Sequence, residues 1–180
     1  VVDSLLGGPG VSLGDWLRER GTTPLAVLPT LFFSTLPPFF EEIGWRGDAL
    51  DRLQLNHSAL TSGVLLGVVW AGWHLPLFFV EGAFLHDVVG FATTGFWLFT
   101  AGTVALSVLL SWVYNNTSRS VLGAVVLHGW VNFVSQSVEV ADEFYYPVWV
   151  LAAALVVWVW GAETLAGSAA VPRPPDPRRP

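Results

Sequence analysis

Five long stretches of this chain contain no Asp, Glu, Lys or Arg, and no other feature limits its fold so strongly. They run over residues 24–40, 58–80, 88–114, 120–138 and 145–161. The second and third are 23 and 27 residues long, and about 20 helical residues cross a hydrocarbon core. The fourth and fifth, at 19 and 17 residues, are flanked by Tyr145, Tyr146 and Trp160, aromatic side chains suited to a membrane interface. Gly63 and Gly67 form a GxxxG pair, which lets helix backbones approach closely in lipid. A soluble protein with helices this apolar would need a larger core than 180 residues supply. The expected fold is therefore all-α, a polytopic transmembrane helix bundle with about five spans.

Composition agrees and removes whole function classes. Only 12% of residues are charged, against roughly a quarter in soluble domains. There is no lysine and the net charge is -6, so no basic surface exists to neutralise nucleic-acid phosphates. Zero cysteines remove thiol nucleophiles and Cys-ligated metals. The chain begins Val1-Val2 and has no methionine, which reads as an N-terminally truncated protein. Residues 1–23 read as an interfacial or partial N-terminal segment, 24–163 as the functional core, and 164–180 as a disordered Pro/Arg tail. Arginines weight the loops unequally. Arg18 and Arg20 fall on one side, and Arg46, Arg52, Arg119, Arg173, Arg178 and Arg179 on the other. The positive-inside rule then puts the second side and the C-terminus in the cytoplasm. The cavity is expected to open on that same side.

In so apolar a chain, ionisable residues at membrane depth carry the information. Glu41 and Glu42 end the first stretch. Glu42 and Arg46 are i,i+4 neighbours able to form an ion pair, whereas Glu41 is turned about 100° away. His74 follows Trp70 by four residues within the second stretch, and His128 and Asn132 share a helix face in the fourth. Each has a plain structural reading, as a helix-end cap or an interhelical hydrogen bond. Together, their burial cost favours one shared polar cavity. His57 and His86 fall in predicted loops and read as solvated, and Asn115 and Asn116 as turn residues.

A carboxylate and an imidazole meeting in a wet pocket can take a proton from water. A second His with an Asn amide supplies donors for an oxyanion. No acyl-enzyme nucleophile is evident, since Ser34, Ser107 and Ser111 have no His nearby in sequence. Alternatively, Glu41, His74 and His128 could hold a zinc ion with a position left for water. A small transporter or proton relay could use the same groups.

Taken in order, Glu41-Glu42-x-x-x-Arg46, an aromatic four residues before His74-Leu75-Pro76, and His128-x-x-x-Asn132 resemble the CPBP intramembrane protease family. That family comprises type II CAAX prenyl endopeptidases and Abi-like bacteriocin-processing or immunity relatives. The resemblance covers residues 33–133, with Trp70 standing where the family usually has Phe or Tyr. It implies an integral membrane endopeptidase acting on a peptide or protein with a membrane-anchored end. Glu41 would be the water-activating base assisted by His74, and His128 and Asn132 the oxyanion stabilisers. Glu42 and Arg46 would organise the site or hold a substrate carboxylate. A non-catalytic scaffold or immunity protein of the same fold is the alternative the family also contains.

Overall fold

The computed structural model describes residues 24–137 and 142–167. The expectations for residues 1–23 and for the tail from 168 onward lie outside the described residues. Those described are helical without strands, in six α-helices: α1 (Pro24–Gly44), α2 (Leu50–Gln54), α3 (Ala59–His74), α4 (Thr94–Asn116), α5 (Val121–Ser137) and α6 (Asp142–Trp160). A π-helical turn, Trp45–Ala49, joins α1 to α2, and a 3₁₀ turn, Leu75–Phe79, continues α3.

Polarity in α1 runs opposite to that of a soluble helix. Ser34, Pro38, Glu42 and Arg46, spaced four apart, are fully buried, while Phe32, Phe33 and Phe40 are 59%, 66% and 66% exposed. Such a face is stable only against an apolar solvent, with its polar groups turned toward other helices. The same holds for Val64, Leu65, Val68 and Val69, all exposed on α3. The protein is an integral membrane helix bundle. Two helical segments, Ala59–Phe79 and Thr94–Asn116, are long and apolar enough to cross a bilayer, and Val121–Ser135 and Phe144–Trp160 are apolar but shorter.

Helix α4 is central, packing on α3, α5 and α6, while α1 packs along α5. Glycines set both close approaches. A Cβ at Gly67 would lie 2.7 Å from Val104 Cα and 2.9 Å from Ser107 Cβ, and one at Gly129 would lie 2.7 Å from Thr35 Oγ1. Because the obstacle at Gly67 is backbone, no rotamer change relieves it. Gly67→Ala should therefore force α3 and α4 apart, costing about 1–3 kcal/mol as overpacking does. Thermal unfolding in detergent measures this; an unchanged midpoint would mean that the crossing adjusts freely.

The helix ends are held by specific bonds. Ser58 Oγ accepts from Thr61 N at 3.1 Å, and Thr93 Oγ1 accepts from Phe96 N at 3.2 Å, each satisfying an N-terminal donor. The backbone N–H groups of Ala59 and Leu60 donate to the carbonyls of Glu163 and Ala162. Asn115 and Asn116 end α4, and their amides donate to the carbonyls of Thr164 and Leu165 at 2.8 and 2.7 Å. Leu165 is fully buried among Ala59, Leu109 and Val156. Of the residues from 164 onward, Thr164 and Leu165 are thus tied to the core by two asparagine amides and one buried leucine.

Candidate active site

The end of α1 and the turn after it deliver Glu41, Glu42 and Arg46 inward, and each has a partner on another helix. Glu42 is fully buried, and its Oε1 accepts from Arg46 Nη1 at 3.1 Å. That same oxygen lies 2.9 Å from His128 Nδ1, a contact that the i,i+4 spacing of Glu42 and Arg46 could not foretell. Arg46, also fully buried, donates through Nη2 to Ser107 Oγ at 3.0 Å and Ser107 O at 3.1 Å. Its guanidinium lies 5.6 Å from the centre of the Trp70 ring, a cation–π distance. Ser107 was legible in the sequence only as a small residue in an apolar helix. Here it is the anchor that fixes Arg46, and with it Glu42, against α4.

Glu41 points away from this network, as the helical rotation requires, and its Oε2 accepts from Trp70 Nε1 at 2.9 Å. A phenylalanine at position 70 would have no such donor. His74 is the last residue of α3 rather than a mid-helix residue. Pro76 has no N–H for the Gly72 carbonyl, and Leu75 N bonds it instead in a 3₁₀ pattern. His74 Nδ1 lies 2.9 Å from the Trp70 carbonyl oxygen. A carbonyl only accepts, so Nδ1 carries a hydrogen, and in the neutral ring the lone pair is then on Nε2. The Trp70 ring meets His128 edge-on at 4.9 Å and His74 at 5.7 Å. On α5, Gly129 lets the helix lie against α1, and Asn132 Nδ2 reaches the Ser34 carbonyl at 3.4 Å.

Glu41, Trp70, His74, His128 and Asn132 all line one cavity of about 700 Å³. Its remaining wall is largely aromatic, with Phe84, Phe99, Tyr145, Tyr146 and Trp149, none of which stood out as a site residue in the sequence. Of these, Tyr145 and Tyr146 read from the sequence as interfacial aromatics, and only the folded bundle turns them inward. His57 is exposed, and His86 pairs with Asp87 at 2.6 Å on the surface, so neither belongs to the cavity.

The cavity lies in the half of the bundle where α3 and α5 end and α4 and α6 begin. Arg52 and Arg119 lie at the other end, where α3 starts beside Glu163. There Arg119 bonds Asp51. Arg52 bonds Asp48 at 2.8 Å and holds its carboxyl below the ordinary carboxylate value. The wall residues from the His74 and Tyr145 ends are thus remote from Arg52 and Arg119. Antiparallel helices put the turns carrying Arg52 and Arg119 a helix length from the ends carrying His74 and Tyr145.

Among the described residues no three His, Asp or Glu side chains are arranged to hold one metal ion. Trp70 engages Glu41 through its indole N–H and His74 through its carbonyl, while Glu42 takes the Nδ1 side of His128. In this arrangement Glu41, His74 and His128 are not gathered into one three-ligand set.

The family model described as type II CAAX prenyl endopeptidase, Rce1-like, matches residues 23–134. The chain is also 27% identical over 116 residues to CAAX prenyl protease 2 of Methanococcus maripaludis. That alignment covers 64% of this chain and 43% of the relative, so the chain spans less than half the relative's length. The matched segment contains Glu41, Glu42, Arg46, Trp70, His74, His128 and Asn132, and ends before α6.

Proposed function

The chain belongs to the Rce1-like family of type II CAAX prenyl endopeptidases, and we propose that it hydrolyses a peptide bond near the membrane-anchored end of a prenylated substrate. The observation that carries this reading is a single cavity receiving Glu41 from α1, His74 from α3, and His128 and Asn132 from α5. Glu41 takes a proton from water as the water oxygen attacks the scissile carbonyl carbon. His74 steadies that water through the Nε2 lone pair that its bond to Trp70 leaves free. The tetrahedral oxyanion accepts from the Asn132 amide and from His128. Donation by His128 Nε2 uses the imidazolium, with Glu42 at Nδ1 as its counter-charge. The proton held by Glu41 then passes to the departing amine as the C–N bond breaks. Glu42 and Arg46 position His128 without touching substrate, and no step runs through a metal.

Asn132→Ala tests the oxyanion assignment. On a farnesylated CAAX peptide, kcat should fall about 10²–10³-fold with little change in KM, in the presence or absence of a chelator. An unchanged kcat would confine Asn132 to its bond with Ser34. Failure of the native chain to cleave both that peptide and a library of membrane peptides would sink the endopeptidase reading.

Orientation rests on two criteria that the geometry sets against each other. With Arg46 buried, five arginines against two favour a cytoplasmic end at Arg52 and Arg119. A substrate anchored to the cytoplasmic leaflet favours the cavity end instead. The chain has no cysteine, so single cysteines at exposed positions 57 and 86, labelled from one side of sealed vesicles, decide between them.

A further inference from the structure

We propose that Tyr146, seated on Gly102, sets the width of the apolar end of the cavity and thereby selects the lipid group of the substrate by length. This inference rests on the endopeptidase reading above. A row of rings leads away from the reacting end. His74 meets Phe99 at 5.5 Å, Phe99 meets Tyr146 at 6.0 Å, and Tyr146 meets Tyr145 at 5.2 Å. Tyr146 is thus two rings removed from His74, on the wall and not among the groups that handle protons.

Its position depends on the absence of a side chain opposite. A Cβ at Gly102 would stand 2.5 Å from Tyr146 Cδ1 and 3.1 Å from both its Cβ and Cγ. The ring therefore lies flush against the α4 backbone and closes the gap between α4 and α6. Both residues line the cavity, so this one contact fixes how much room remains between the two helices. Tyr146 belongs to α6, outside the matched segment 23–134. The polar end is thus the part shared with the family model, whereas Tyr145, Tyr146 and Trp149 of this wall come from the chain beyond it. An apolar chain bound there meets mainly rings and aliphatic groups, with Thr103 also on the wall. Discrimination between two such chains is then steric, and an extra group that does not fit costs about tenfold or more.

The experiment uses the full chain in detergent and two peptides that differ by one isoprene unit, one farnesylated and one geranylgeranylated. Tyr146→Ala removes the wall and should raise the geranylgeranyl-to-farnesyl ratio of kcat/KM about tenfold. Tyr146→Phe keeps the ring and should leave the ratio unchanged. Gly102→Ala pushes the ring off α4 and should lower the ratio, but should have little effect in the Tyr146→Ala background, where there is no ring to push. An unchanged ratio in folded Tyr146→Ala overturns the proposal. So does a Gly102→Ala effect of equal size in both backgrounds. If Gly102→Ala does not fold, the Tyr146→Ala ratio decides alone. If the native chain cleaves neither peptide, the endopeptidase reading fails separately. The width claim is then read from displacement of a fluorescent farnesylcysteine probe by farnesyl- and geranylgeranylcysteine. Relative affinities that follow position 146 support it, and affinities indifferent to that position overturn it.

Discussion

Glu41→Gln should stop turnover, lowering the single-turnover cleavage rate by about 10³–10⁴-fold, while the protein folds and binds substrate nearly as before. A carboxamide cannot take a proton from water, and loss of a general base costs on this scale. The fold should survive because the hydrogen bond the side chain makes among the described residues is accepted from Trp70 Nε1, and the amide oxygen of Gln accepts it equally well. Cleavage and thermal unfolding must be measured on the same preparation. The neighbouring substitution, Glu42→Gln, separates the roles, since Glu42 contacts both Arg46 and His128. If Glu41→Gln cleaves normally while Glu42→Gln is well folded and inactive, the base is Glu42 and the assignment made here is wrong.

Arg46→Ala should damage the fold itself. Arg46 and Glu42 have no solvent exposure, and Arg46 also gives two hydrogen bonds to Ser107. Removing the cation leaves the buried Glu42 carboxylate without its arginine partner and takes away the guanidinium donor to Ser107 Oγ. Breaking a buried pair in this way costs about 3–5 kcal/mol. Arg46→Lys should rescue only part of this, because a single ammonium cannot reproduce the fork that reaches Glu42 with one nitrogen and Ser107 with another. Thermal unfolding in detergent reads both variants. Arg46→Ala unfolding at the native temperature would show that the network contributes little to stability.

Helix class, membrane location and the inward-facing polar set follow from local quantities. Hydropathy is summed along a stretch, and the i,i+4 rule needs only the helical repeat. For this reason the Glu42–Arg46 pair, the divergence of Glu41 from Glu42 and the close packing at Gly63 and Gly67 were legible before any coordinates. Family resemblance added an ordered set of motifs, and the matched segment 23–134 contains each of them. Helix ends were less legible. Pro76 tightens α3 just after His74, and Leu165 packs into the core from a segment whose composition reads as a tail.

Contacts between residues far apart in the chain depend on how helices cross, and no local pattern encodes that. Ser107 lies 61 positions from Arg46, and His128 lies 86 from Glu42. In sequence, Ser107 is one small residue among several, and Glu42 already had a partner. The tyrosines and phenylalanines of the cavity wall carry the same hydropathy whether they face lipid or substrate, so only the rotation of α4 and α6 tells the two apart. The depth at which the cavity sits in the bundle is not encoded locally either. Counting arginines assigns loops to sides of a membrane, but it does not say how deep along each helix a side chain lies. Hydrophobicity and helical spacing therefore specify what this chain is made of, whereas antiparallel packing specifies which polar groups meet, on which side, and behind which aromatic wall.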